Sequence, residues 1–284
     1  MRHRLHVRVG PIGFRIGSVW RRPIEQLAML YAGYPAAEVP DFTVRLAPPS
    51  AWRRVVRPTV ALAGDLTLPE AAPLPLAQAV LAAEMAMNLQ VALGHRRHLL
   101  LHAAAVERDG RAIIITGESG AGKSTLATML ATQGWRFMAD EFVLIDPVLG
   151  EVHPFPRPIS LKNAAIAAVT ARCPDRRFGP LLTATPKGTV RHLAPDARAV
   201  AAMDRAARPA MILFPRFGAA PAWRAVGAGE AFVRLTQSST NYVALGEAGF
   251  DRMTRLARDL PRIAIDYPDT DAAIELVEGL WRAL

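Results

Sequence analysis

The chain has 284 residues, is 51% hydrophobic and 21% charged, and carries 34 basic against 25 acidic side chains. This is long enough to bury a full α/β core, and the composition excludes a disordered, collagen-like or disulfide-stapled protein. The formal charge of +9 rests almost wholly on arginine. The arginines are scattered in pairs, such as Arg53 with Arg54, without a dense basic run or interleaved aromatics, so no dedicated nucleic-acid binding is expected.

A lone cysteine, Cys173, permits no internal disulfide and suits a reducing, cytoplasmic setting. The start of the chain, MRHRLHVRVG, lacks the apolar stretch of a secretory signal. From His3 to about Leu68, strand-like pieces (HVRVG, FRIGSVW, DFTVRLAP, TVALAGDLTL) alternate with breaks and one short helix, PIEQLAMLYAGY, that Gly33 and Pro35 end. Residues 1–70 are therefore expected to form a small α+β appendage. Pro69 to Pro75 holds three prolines in seven residues and reads as a linker, with residues 71–284 as the main domain.

The most apolar long stretch, Leu74 to Leu93, contains Gln78, Glu84, Asn88 and Gln90, which predicts a buried helix and no membrane span. The runs LLLHAAAV and RAIIIT then flank Asp109-Gly110, a hairpin signal that puts His102 on a strand beside the second run. His95, His98 and His102 would share a face of a helix, but Gly94 and the β-like LLL argue against a helix and against zinc there.

Gly117 to Thr125 reads GESGAGKST, between the β-branched run AIIIT and the helix-forming STLATMLATQ. This fits G-x-x-x-x-G-K-[ST], a phosphate-binding loop of the Walker A type. Three glycines (Gly117, Gly120, Gly122) let the backbone N–H groups of Gly117, Glu118, Ser119, Gly120, Ala121, Gly122, Lys123, Ser124 and Thr125 turn inward, and the next helix adds its positive end. Lys123 would reach the β and γ phosphates and the Ser124 hydroxyl a Mg²⁺ position. Lysine occurs elsewhere only at Lys162 and Lys187.

After a helix from Ser124 to about Gln133 come the strand-like WRFMA and FVLID, with Asp140-Glu141 between them. Ten helical residues travel about 15 Å from the loop and five extended residues return about 16 Å. The two acids are thereby brought back to the phosphates, where one can help hold Mg²⁺ and the other accept a hydroxyl proton. Downstream, the proline-stiffened HPFPRPISLKN offers Arg157 and Lys162, the loop-rich Arg172 to His192 offers Lys187 as part of a lid, and AMILFPR places Arg216 at a strand end; all four are candidate phosphate or substrate contacts. Gly229 to Gly246 reads as largely helical with SSTNY inside it, followed by a helix over Glu247 to Asp259, the strand RIAIDY and a terminal helix.

With LHAAAV, ITGESGAGKST, GWRFMADEFVLI and PFPRPISLK, the chain resembles the HPr kinase/phosphorylase family, and more narrowly the group called HprK-related kinase A, whose late NY and LGE.GF segment is matched by Asn241-Tyr242 and Leu245 to Phe250. The resemblance implies an α/β fold: a P-loop kinase core of the HPr kinase type, a mixed twisted sheet flanked by helices, with the N-terminal appendage. It implies Asp140 as the base, His102 as the residue orienting it, and Glu141 with Ser124 as the metal pair. The bifunctional enzymes have Asp-Asp where this chain has Asp140-Glu141, and their later signature loop is not found, so phosphorylase activity and HPr as substrate are not implied.

The expected function is that of an ATP- and Mg²⁺-dependent kinase acting on a hydroxyl, serine of a peptide or small protein, or a small molecule. The alternative is an ATP-binding or ATP-hydrolysing regulatory or assembly module with no phosphate acceptor. The acceptor, the base preference and the oligomeric state, a homo-oligomer included, are left open by the sequence.

Overall fold

The computed structural model describes residues 1–67 and 71–284. In chain order the first elements are β1 (His3–Val9), β2 (Ile12–Ser18), α1 (Arg21–Leu30), β3 (Phe42–Ala47), β4 (Thr59–Gly64), β5 (Leu74–Pro75) and α2 (Ala79–Gly94). Next come β6 (Leu99–Leu101), β7 (Ala103–Arg108), β8 (Arg111–Thr116), α3 (Lys123–Thr132), β9 (Arg136–Ala139), β10 (Val143–Ile145) and β11 (Val152–His153). The middle of the chain forms β12 (Ile159–Lys162), α4 (Ala164–Arg172), β13 (Leu182–Thr185), β14 (Gly188–Leu193) and α5 (Ala197–Ala201). It closes with β15 (Arg208–Phe217), β16 (Ala222–Ala225), α6 (Ala228–Ser238), α7 (Gly246–Asp259), β17 (Arg262–Tyr267) and α8 (Thr270–Arg282). The fold class is mixed α/β.

Two compact units share the chain: residues 1–95, 160–166 and 176–194 in one, and 96–159, 167–175 and 195–284 in the other. The sequence placed its division at residues 69–75. Of that stretch Pro69 and Glu70 lie outside the described residues, and Leu74–Pro75 is strand β5, paired with β4. The contacts draw the first unit to His95 because α2 packs on β3 and β4.

In the first unit, β1 to β5 form a sheet in sequence order. The pair β2 and β3 is parallel, with α1 crossing between them, and the other pairs are antiparallel. Among the described residues, Leu76–Gly94 is long and apolar enough to cross a membrane by length and composition, yet 61% of its most apolar window is buried inside the protein. Its polar residues are used there: Glu84 accepts from the Tyr31 hydroxyl, and the Gln90 amide bonds both backbone groups of Leu66. Of the stretch read as a loop-rich lid, most of 173–181 is irregular, while the part from Leu182 on forms the hairpin of β13 and β14, with Lys187 in its turn. The Thr185 hydroxyl closes that turn onto the Gly188 carbonyl and the Lys187 N–H.

The second unit is built on a six-stranded sheet in the order β16-β17-β15-β8-β7-β9. The strands β8, β15 and β17 are mutually parallel, and β7 is antiparallel to both β8 and β9, so β9 also runs with β8. Ile113, Ile114 and Ile115 of β8 are all fully buried, as expected of a strand covered on both faces, whose sequence reads as a continuous apolar run. The β7–β8 turn uses Asp109 and Gly110 at φ +54 and +75, the two left-handed residues of a tight hairpin.

The chain departs from the predicted elements at two places that matter for the site. LLLHAAAV is not one strand: β6 pairs with β10 in a separate three-stranded sheet and β7 with β8, and the chain changes sheets at His102. SSTNY does not continue a helix: α6 ends at Ser238, and Asn241 turns its amide onto β6, accepting from the Leu100 N–H and donating to the His98 carbonyl, both at 2.9 Å.

Candidate functional site

The parallel strands of the second unit end together. Thr116 of β8 leads into the glycine loop, Ala139 of β9 into Asp140 and Glu141, and β15 and β17 end at Phe217 and Tyr267. From β8 the chain crosses through α3 to β9 on one side, while β15 lies on the other. The glycine loop therefore stands where the direction of strand order reverses, at the carboxyl ends of the strands, the position where open α/β sheets bind ligands.

The loop's shape follows from its glycines. Gly117, Gly120 and Gly122 have φ of +154, +87 and +95, values that an L side chain adopts only under strain. Gly122 caps α3 without any side-chain cap, which leaves helix-end N–H groups to a ligand or solvent. A side chain at Gly122 would collide with the Tyr267 hydroxyl, while one at Gly120 meets no atom within 4 Å. The loop is thus braced on one side and open on the other. Tyr267 donates to the Ala121 carbonyl at 3.3 Å, and burial pushes its phenol up to about 12, so the brace stays protonated at neutral pH.

Lys123 folds back over its own loop, donating to the carbonyls of Gly117 at 2.7 Å and Glu118 at 2.9 Å. The Ser124 hydroxyl donates to Asp140 Oδ1 at 2.8 Å. Glu141 sits at φ +68 in a three-residue turn closed by the Phe142 N–H on the Asp140 carbonyl. A non-glycine residue held there costs about 1–3 kcal/mol, and such strain collects at functional sites. His102 Nδ1 stands 3.7 Å from Glu141 Oε2, with the histidine half-exposed. The hydroxyl that the resemblance pairs with Glu141 thus reaches Asp140, and the histidine it pairs with Asp140 stands beside Glu141.

The other candidates divide by unit. Arg157 is buried and lies two residues beyond Phe155, which forms a parallel bridge with Ala139 at the end of β9. Arg216 forms a bidentate pair with Asp266, its neighbour across β15 and β17. Lys162, which closes β12, and Lys187 belong to the first unit.

Beside the loop lies a cavity of about 990 Å³ lined by Gly117 to Ala121, His102 and Phe142, by Phe214 to Phe217, by Ala222 to Arg224, and by Arg234 and Gln237 to Thr240. Sequence reading missed Trp223, Arg224, Arg234 and Ser238 to Thr240, which carry no motif and come to the loop only through the pairing of β16 with β17 and of Ser239 with β6. Among the described residues no group of three His, Cys, Asp or Glu side chains converges as metal ligands. The Ser124–Asp140 pair offers hard oxygens of the kind Mg²⁺ takes one or two at a time, filling its other positions with phosphate and water. The residues present therefore fit a Mg²⁺-bound polyphosphate.

A family model described as SynChlorMet cassette protein ScmC matches residues 77–167, less than half of the chain but including the glycine loop and the acid turn. No curated protein matches. Among solved structures, the Hpr(Ser) kinase/phosphatase from Coxiella burnetii is similar over 65% of this chain and 94% of its own, at 14% identity and a TM-score of 0.31. At that identity no residue role transfers.

Proposed function

We propose that the chain is an ATP- and Mg²⁺-dependent phosphotransferase with a P-loop core that passes the γ-phosphoryl group to a hydroxyl, serine of a peptide or small protein. The observation that carries this reading is the meeting, at one end of the parallel strands, of the glycine loop with its folded-back Lys123 and the Ser124–Asp140 pair. Bound Mg²⁺-ATP supplies the transferable phosphoryl group. The loop N–H groups and the start of α3 hold the phosphates, and Lys123 exchanges its two carbonyl partners for phosphate oxygens. Ser124 and one of the two acids hold the metal, and the other acid takes the acceptor's proton.

We assign the proton to Asp140 and the metal to Glu141 with Ser124. The Ser124–Asp140 bond and the closeness of His102 to Glu141 favour the exchanged assignment as a second reading. Transfer of label from γ-labelled ATP to serine peptides tests both. Asp140→Asn should lower transfer by about 100-fold or more with ATP affinity and Mg²⁺ requirement kept. If Asp140→Asn instead raises the Mg²⁺ requirement and Glu141→Gln abolishes transfer, the second reading holds. Label passing only to water would favour the ATP-hydrolysing regulatory module.

A further inference from the structure

Three arginines that no motif or comparison assigns together, Arg216, Arg224 and Arg234, line the cavity beside the glycine loop. Arg216 is held by Asp266, and Arg224 and Arg234 converge on Glu230 at 2.6 Å each. Three guanidinium groups thus share two carboxylates. Each two-pronged contact engages two of a guanidinium's five N–H donors, which leaves both forks able to take a second carboxylate. Exposed ion pairs of this kind are weak, so they rearrange readily around an incoming anion. Glu118, Glu230 and Asp266 lie among these arginines, so the surface is not the continuous basic groove that tracks a phosphodiester backbone.

The backbone adds a second, independent feature. The strand β16, which carries Trp223 and Arg224, is the edge strand of the six-stranded sheet, and all four of its residues are exposed. An exposed edge is where an extended peptide adds a strand. Ala222 of β16 lies opposite Asp266, near the end of β17 where Tyr267 braces the glycine loop. A peptide on this edge is therefore led towards the loop.

We infer that the cavity receives an acidic peptide segment, paired along the edge of β16 with its carboxylates on Arg224 and Arg234, and that this segment carries the acceptor hydroxyl. Four strand steps separate a peptide on the outer edge of β16 from β8, about 19 Å at the usual spacing between strands, which an extended chain crosses in about six residues. The acidic cluster therefore stands about six residues from the hydroxyl. This inference rests on the phosphotransferase reading for the chemistry but not for the binding.

The test uses the full chain and a fluorescent peptide with one serine and a Glu-Glu-Asp cluster six residues away, against the same peptide with a Lys cluster and against a single-stranded oligonucleotide. Without nucleotide, anisotropy should give at least tenfold tighter binding of the acidic peptide than of either competitor, and peptide binding should slow amide exchange at residues 222–225. Arg224→Glu with Arg234→Glu should remove that preference while ATP affinity stays within twofold. Glu230→Gln, which takes away the competing carboxylate, should tighten peptide binding, a gain that misfolding does not produce. Equal binding of acidic and basic peptides, tighter binding of the oligonucleotide, or an unchanged preference in the double variant overturns the inference. Binding with this preference but without phosphoryl transfer upholds the docking and refutes the phosphotransferase reading, so the two failures are distinguishable.

Discussion

Gly122→Ala is the sharpest probe of the glycine loop, because two separable costs meet at one atom. Gly122 has φ +95 and ψ +7, and a Cβ there would overlap the Tyr267 hydroxyl while the ring carbon bearing it stays at 3.6 Å. The left-handed backbone alone costs an alanine about 1–2 kcal/mol, and displacing a packed side chain adds about 1–3 kcal/mol. Gly122→Ala should therefore destabilise the second unit by about 2–5 kcal/mol in all. Tyr267→Phe gives up one long hydrogen bond to Ala121, about 0.5–1 kcal/mol. In the double variant the overlap is gone and only the backbone term and that hydrogen bond remain. The two substitutions should then fall short of additivity by the overlap term, about 1–3 kcal/mol, in a double-mutant cycle. Native-state hydrogen exchange of the α3 amides, beginning at Leu126, whose N–H closes on the Gly122 carbonyl, reads the effect locally. Strict additivity would refute the brace between Tyr267 and the loop.

Three further outcomes follow from the same geometry. Glu141→Gly should relieve the left-handed strain and stabilise the second unit by about 1 kcal/mol in urea unfolding, and on the proposed phosphotransferase reading it should abolish phosphoryl transfer. Burial, reinforced by His153, pulls His98 down to about 4 from the ordinary 6.5. The unfolded chain then binds a proton between pH 6.5 and 4 that the folded chain refuses, so stability is full above 6.5 and falls as the pH drops through this window. His98→Gln should flatten that slope in thermal melts at pH 7, 5.5 and 4.5. Asn241→Ala strands a buried N–H of Leu100 and a carbonyl of His98, at about 1–3 kcal/mol for each unsatisfied group. Amide exchange across β6 should accelerate in that variant, with the β7–β8 hairpin unaffected.

Local signals made much of this chain legible. The alternating strands of the first unit, the Asp109-Gly110 turn, the loop glycines and the return of Asp140-Glu141 all depend on interactions within about thirty residues, and each is present where the sequence placed it. The illegible parts depend on distant partners. LLLHAAAV has uniform β character, so nothing local says that Leu99 to Leu101 will pair with β10 and Ala103 onward with β8. The polar SSTN looks like a helix surface until a second strand is present for Asn241 to bond. PEAAPLP has a linker's composition, yet Leu74 and Pro75 pair with β4.

The sequence by itself determined the glycine loop and the two acids that follow the next strand, because such a turn is a matter of backbone freedom and spacing within one strand-helix-strand unit. Only the tertiary structure decided which hydroxyl meets which carboxylate, that Tyr267 braces the loop, and that Arg224 and Arg234 face the same cavity as His102. Those residues lie between about 15 and 150 positions apart and carry no periodic signal, so their meeting is set by strand order and register.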